Sequence, residues 1–116
     1  MAELTILTIN SGSSSLKASL FQAGSERKNF HYKHLDSNQA KNYANAFKAL
    51  LEDLANIQPD IIGHRFVHGG EVADAARLID EAERARLENL TPLAPLHLAS
   101  NLLGVDLCAK QFTCPQ

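Results

Sequence analysis

Residues 4 to 21, LTILTINSGSSSLKASLF, constrain the fold more than any other stretch of the chain. Leu4 to Ile9 is short, rich in β-branched residues and apolar on both alternate sets, as in a strand covered on both faces in mid-sheet. After a polar tip, Leu16, Ala18 and Leu20 alternate with Lys17, Ser19 and Phe21, which is the period of a second strand. So short a connection of small residues predicts a tight hairpin. The remaining elements must be added around that antiparallel pair.

Gly24 and Ser25 read as a turn, and Asn29 to Leu35 as a third, more polar strand at a sheet edge. Ala40, Tyr43, Ala44, Phe47, Leu51 and Leu54 recur at three- and four-residue intervals. They predict a helix of about four turns, with Asp36 or Ser37 as N-cap and Pro59 marking its end. Asp60 to Val67 is extended again and closes at Gly69-Gly70. A second helix opens at Asp80, with Glu83 in capping-box spacing, and stops before Thr91-Pro92; its weak apolar stripe predicts exposure. Leu98, Ala99, Leu102, Leu103, Val105 and Leu107 make a last helix apolar over a wide arc, hence buried. Three strands, a helix, a strand and two helices predict an α/β fold: a mixed sheet with flanking helices rather than a bundle. With no repeat or linker, residues 1–116 read as one domain. The final QFTCPQ follows the buried helix with no closing element, so the chain reads as cut.

Composition removes several classes of partner. A formal charge of −2 gives no basic field for nucleic acid or an anionic membrane. No apolar stretch approaches the ~20 residues of a membrane span, and MAELTIL lacks the basic and apolar regions of a secretory signal, which predicts a cytoplasmic protein. Cys108 and Cys114 form neither a Cys-x-x-Cys motif nor a disulfide framework and read as reduced thiols. His64 and His68 have the spacing of a helical metal pair, but Gly63, Gly69 and Gly70 argue against a helix there, and so against zinc.

Three clusters carry candidate chemistry. The serine tip is not a P-loop, because Lys17 follows Gly12 without a second glycine and a strand, not a helix, comes next. It offers backbone N–H groups, the hydroxyls of Ser11, Ser13, Ser14 and Ser15, and the Lys17 ammonium to an anion; it is equally what a polar hairpin turn uses. In IIGHRFVHGG, Ile61 to Gly70, alternation puts Arg65 and Val67 on one face and His64, Phe66 and His68 on the other. A guanidinium beside an isopropyl group at a strand's C-terminal end suits a carboxylate with a short apolar tail; a structural ion pair with Glu71 fits the same spacing. In APLHLASN, His97 sits on a loop after two prolines, where an imidazole could donate to a phosphoryl oxygen or simply face solvent.

Together these stretches resemble the N-terminal part of the acetate kinase family, in the superfamily of sugar kinases, heat-shock chaperones and actin. The motifs are Asn10, Gly12, Ser13, Ser14, Ser15, Leu16 and Lys17; then Gly63, His64, Arg65, Val67, His68, Gly69, Gly70 and Glu71; then Ala94, Pro95, Leu96 and His97. Where the family has Asn-Pro after the histidine, this chain has Leu98-Ala99. The resemblance implies a ribonuclease H-like, actin-like ATPase fold and reversible phosphoryl transfer from ATP to acetate, giving acetyl phosphate and ADP. It implies Mg²⁺ held with help from Asn10, nucleotide phosphates lined by Ser13, Ser15 and Lys17, and acetate bound by Arg65 against Val67 and Leu96, with His97 near the phosphoryl. It also implies a homodimer at full length. The family's catalytic Asp, a later His and Arg, its adenosine site and its metal-binding Glu have no counterpart in these 116 residues, so no turnover is expected from this length alone.

An alkanoate is already ionised at neutral pH, so its attack on a γ-phosphate needs charge neutralisation rather than a strong base. Each pair of unit charges at ~4 Å and an effective dielectric of ~20 costs about 4 kcal/mol. Propionate kinase is the close rival, since one methylene is worth only ~1–3 kcal/mol in an apolar pocket. A non-catalytic actin-like assembly or binding domain is the rival from another class. A two-metal nuclease would need a carboxylate on the first strand, which Leu4 to Ile9 lacks.

Overall fold

A computed structural model describes residues 4–11, 15–33, 40–66, 76–93 and 95–116, leaving aside the side chains at 40, 41, 96 and 97. Four strands and three helices follow in the order β1 (Thr5–Ser11), β2 (Leu16–Gln22), β3 (Ser25–Tyr32), α1 (Ala40–Asp53), β4 (Ile61–Arg65), α2 (Glu81–Asn89) and α3 (Pro95–Gln111), with a 3₁₀ turn at Thr91–Leu93. The strands form one sheet in the order β3-β2-β1-β4. β1 is antiparallel to β2 and parallel to β4, so the sheet is mixed, with the crossover through α1 that the sequence predicts.

Several boundaries differ from the sequence expectation. β1 runs two residues past Ile9, and β3 starts at Ser25 and ends at Tyr32 instead of spanning Asn29 to Leu35. The β2–β3 turn is Ala23-Gly24, both left-handed at φ 52° and 79°, as a two-residue hairpin of matching twist requires. That geometry draws Ser25 and Glu26 into pairing with Gln22 and Phe21 and starts β3 early. A bulge then shifts the register at Leu20/Phe21. Asp36, Ser37, Leu35 and the Gly69-Gly70 pair lie outside the described residues.

The pleat turns Leu7, Ile9, Leu16, Ala18, Leu20, Phe30 and Ile62 to one side, where Phe47 and Leu50 of α1, Leu54 just after it and Cys108 of α3 seal them into a single cluster. Fully burying one such Leu or Phe contributes ~1.5–3 kcal/mol. Gly104 lets α3 approach α1 closely: a Cβ there would lie 2.7 Å from Phe47 Cζ. Tyr32 donates to Asp53 Oδ2 at 2.7 Å and ties β3 to α1. Loss of hydration and that bond push its phenol up to about 12.

α2 opens as half of a capping box. Asp80 Oδ1 accepts from the Glu83 N–H at 2.8 Å. Glu83 does not reach back; its buried carboxylate accepts from Arg86 Nη2 at 2.7 Å and Arg77 Nε at 2.9 Å. These hydrogen bonds, that from Arg86 foremost, hold it down at about 2. Apart from Glu83 and Leu87 the helix is exposed or half-buried, as its weak stripe predicts.

The last residues, which follow α3 without an element of their own, are tied back to the fold by hydrogen bonds. Ile62 N–H donates to the Pro115 carbonyl at 3.0 Å, and Ile79 N–H to the Gln116 carbonyl at 2.9 Å. The Gln116 side chain bonds His64 Nε2 at 2.6 Å and the Val105 carbonyl at 3.2 Å. Two side-chain bonds from one amide fix a segment that has no periodic pattern to betray it.

Candidate functional site

The candidate residues are positioned by strand register. Asn10 of β1 is directly opposite Lys17 of β2 and also opposite Arg65 of β4. Residues paired across neighbouring strands project from the same face, so all three side chains leave the sheet on one side. It is the side away from α1 and α3, because the intervening positions Leu7, Ile9, Leu16 and Ile62 are the buried ones. Neighbouring strands lie ~4.8 Å apart, so an ammonium and a guanidinium are rooted on the order of 10 Å from each other with a carboxamide between them. Lys17 and Arg65 are exposed and Asn10 is half-buried.

Such a row can hold two anions side by side: the Arg65 fork suits a carboxylate or phosphoryl group, the Lys17 ammonium a phosphate, and the Asn10 amide can donate or accept between them. All three stand at the end of the sheet where β1 leaves for the serine tip and β4 ends. Ser15, half-buried just before β2, is at the same end. Behind the row the face changes character, through Thr8, Ser19 and Gly63 to Ile6, Phe21 and Ile61.

Other candidates divide differently. Ser13 and Val67 lie outside the described residues, as do His68 and Glu71. Ser11 is not a tip hydroxyl: it is the last residue of β1, only 2% exposed, on the face turned to the core, and its Oγ has no partner among the described residues. His97 is not on a loop. Pro95 occupies the first position of α3, where a missing N–H costs nothing, so Leu96 and His97 belong to the helix's first turn. His64 points to the core side as alternation predicts; burial lowers its imidazole, and the Gln116 bond works against that shift.

The row offers a divalent cation little. Mg²⁺ takes oxygen ligands in octahedral array, and the row's one amide oxygen is flanked by two cationic side chains. Among the described residues no group of three His, Cys, Asp or Glu could hold a metal. These residues fit an ion carried in on phosphate oxygens and touched by Asn10, not one caged by the protein. A cleft of about 590 Å³ lies elsewhere, along the outer edge of β4, lined by Ile62, His64, Ile79, Arg86, Leu87 and Gln116.

The sequence reading missed His31. It stands opposite Lys17 on β3 and extends the row to the fourth strand. Alternation of Asn29 and His31 with Phe30 and Tyr32 hinted at its face, but its partner depends on the bulge. Counted straight back from the turn, where Gln22 meets Ser25, Lys17 would face Phe30; the extra residue at Arg27 moves it to His31.

Comparison with known proteins agrees with this architecture. The chain is 34% identical to the acetate kinase of Helicobacter hepaticus, over 94% of its own length and 34% of that protein's. It is also 34% identical to the propionate kinase of Yersinia enterocolitica, over 93% of its length and 32% of that protein's. It thus spans about a third of the curated relatives it matches. Among solved structures, acetate kinase from Entamoeba histolytica superposes with a TM-score of 0.71 at 25% identity, covering 92% of this chain and 32% of that one. A propionate kinase from Francisella tularensis superposes at 0.68 with 26% identity, covering 100% and 36%. The mixed sheet with its helices is therefore the actin-like ATPase fold of those kinases. The acetokinase family model itself matches residues 24–115, which takes in Arg65 and the whole of α3, and on this ground the chain belongs to the acetokinase family.

Proposed function

We propose that this chain carries the phosphate- and carboxylate-gripping part of a short-chain carboxylate kinase, which transfers the γ-phosphoryl of ATP reversibly to acetate. A carboxylate oxygen bonds to the γ-phosphorus, the bond from that phosphorus to the bridging oxygen breaks, and acetyl phosphate and ADP leave. The observation that carries the reading is the single row of Arg65, Asn10 and Lys17 on one open face.

Each residue has a task set by its chemistry. Lys17, with Ser13 and Ser15, draws the terminal phosphates to the hairpin end of the sheet, and Arg65 holds the acceptor carboxylate facing them. Val67 and Leu96 supply the apolar wall for the methyl group, and His97 hydrogen-bonds the phosphoryl. Asn10 would be one contact for a Mg²⁺ ion carried on the phosphates, and that ion would supply charge neutralisation at the phosphoryl oxygens. The chain's own work is positioning and electrostatics: two anions at ~4 Å repel by about 4 kcal/mol at an effective dielectric of ~20, and a cation on each side offsets that. Acetate is taken as the substrate and propionate as the alternative, since relatives of both names are 34% identical to this chain. We place the reaction in the cytoplasm and in a homodimer of the full-length enzyme.

Calorimetric titration with Mg·ATP and with acetyl phosphate tests the reading. Lys17→Ala should weaken Mg·ATP at least tenfold, and Arg65→Ala should do the same to acetyl phosphate, since a lost charge-assisted hydrogen bond is worth ~1.5–3 kcal/mol. Unchanged affinities in both folded variants would contradict it.

A further inference from the structure

We propose that His31 is a further phosphate-contacting residue of this site, completing on β3 the row that Arg65, Asn10 and Lys17 make on the other three strands. The inference rests on the kinase reading above and adds a residue to it. Its basis is the register: Lys17 is directly opposite His31, so imidazole and ammonium rise from adjacent strands on the open face with Cβ atoms ~4.5–5.5 Å apart. The β3 bulge produces this pairing, since without it the apolar Phe30 would meet Lys17 and the imidazole would turn to the core side.

Both residues are exposed, and Lys33 follows two positions later, also exposed. Three basic side chains gather at the end of the sheet where β2 begins, and the register pairs neither Lys17 nor His31 with a carboxylate among the described residues. A proton on His31 opposite the Lys17 ammonium is destabilising by itself, and an anion of more than one charge, such as the terminal phosphates of a nucleotide, removes that obstacle.

The charge state of His31 then becomes part of binding. Loss of hydration, followed by the Lys17 and Lys33 ammonium groups, holds its imidazole below the ordinary value of 6.5, which favours the neutral ring in the free protein. Lys17 on β2 and Lys33 beyond the end of β3 are the charged groups that act on it, and no helix packs over it among the described residues. Phosphate oxygens beside the ring favour imidazolium, so His31 takes up a proton as the nucleotide binds.

The test is a proton NMR titration of the His31 ring with and without saturating Mg·ATP, joined to Mg·ATP affinities of the wild type and His31→Gln at pH 8 and pH 6. A terminal phosphate itself titrates near pH ~6, so the comparison between the two proteins is what isolates His31. We expect the His31 midpoint to rise by about one unit on binding and the wild-type advantage over Gln to grow up to about tenfold between pH 8 and pH 6. In ligand-free protein, Lys17→Ala should also raise the His31 midpoint; no change there would deny the pairing itself. An unmoved midpoint with Mg·ATP bound, or parallel pH profiles, would overturn the role of His31. If Lys17→Ala binds Mg·ATP as tightly as wild type, it is instead the site that fails.

Discussion

On one face of the sheet Leu7, Ile9, Leu16, Ala18 and Leu20 are sealed beneath α1 and α3; on the other, the same two strands present Thr8, Asn10, Lys17 and Ser19 with no helix above them among the described residues. The two faces interleave residue by residue, so a slip of one position in any strand would exchange them. The buried face therefore does more than stabilise. By fixing each strand's register through apolar contacts, it aims the opposite set of side chains, and the site inherits its geometry from a core it never touches.

This contrast can be broken by mutation on either side. The largest effect belongs to the sealed face: Leu7→Ala, at a side chain with no exposure, should cost ~2–5 kcal/mol in chemical denaturation. Gly104→Ala should come next, at ~1–3 kcal/mol, because its Cβ would meet the Phe47 ring at 2.7 Å and push the two helices apart. Ala23→Gly should act in the other direction, stabilising by up to about 1 kcal/mol, since a residue at φ 52° is strained unless it lacks a Cβ. On the open face Lys17→Ala should change stability by less than ~0.5 kcal/mol while losing ligand affinity. A destabilisation there as large as Leu7→Ala would erase the distinction.

Acid probes a third region that belongs to neither face. Glu83 is held at about 2 in the folded chain against an ordinary 4.5. Its contribution is therefore whole above about pH 4.5 and is lost as pH falls toward 2. Denaturation midpoints followed from pH 5 to pH 2 should show a slope that Glu83→Gln flattens.

Much of this was legible in the sequence. Alternation sets Lys17 apart from Leu16, Ala18 and Leu20, and Arg65 apart from His64, because a period of two needs only local residues to be read; that the two share a face follows from their pairing through β1. What could not be read was long-range or cumulative. The bulge at Arg27 leaves no mark in composition, yet it decides that His31 and not Phe30 meets Lys17. The start of α3 at Pro95 was hidden by a proline that ends helices more often than it opens them, so His97 was placed on a loop. Ser11 looked like its neighbouring serines, and only the true length of β1 turns it inward.

The central claim is that the Lys17 end and the Arg65 end of the row serve one reaction and so compete for one phosphoryl group. Acetyl phosphate titrated with and without saturating Mg·ATP tests this most directly, because both ligands would bring a phosphoryl to the same point between the two cations. The account predicts that bound Mg·ATP weakens acetyl phosphate at least tenfold, about 1.4 kcal/mol. Equal affinity in the two titrations would show two separate sites and contradict it.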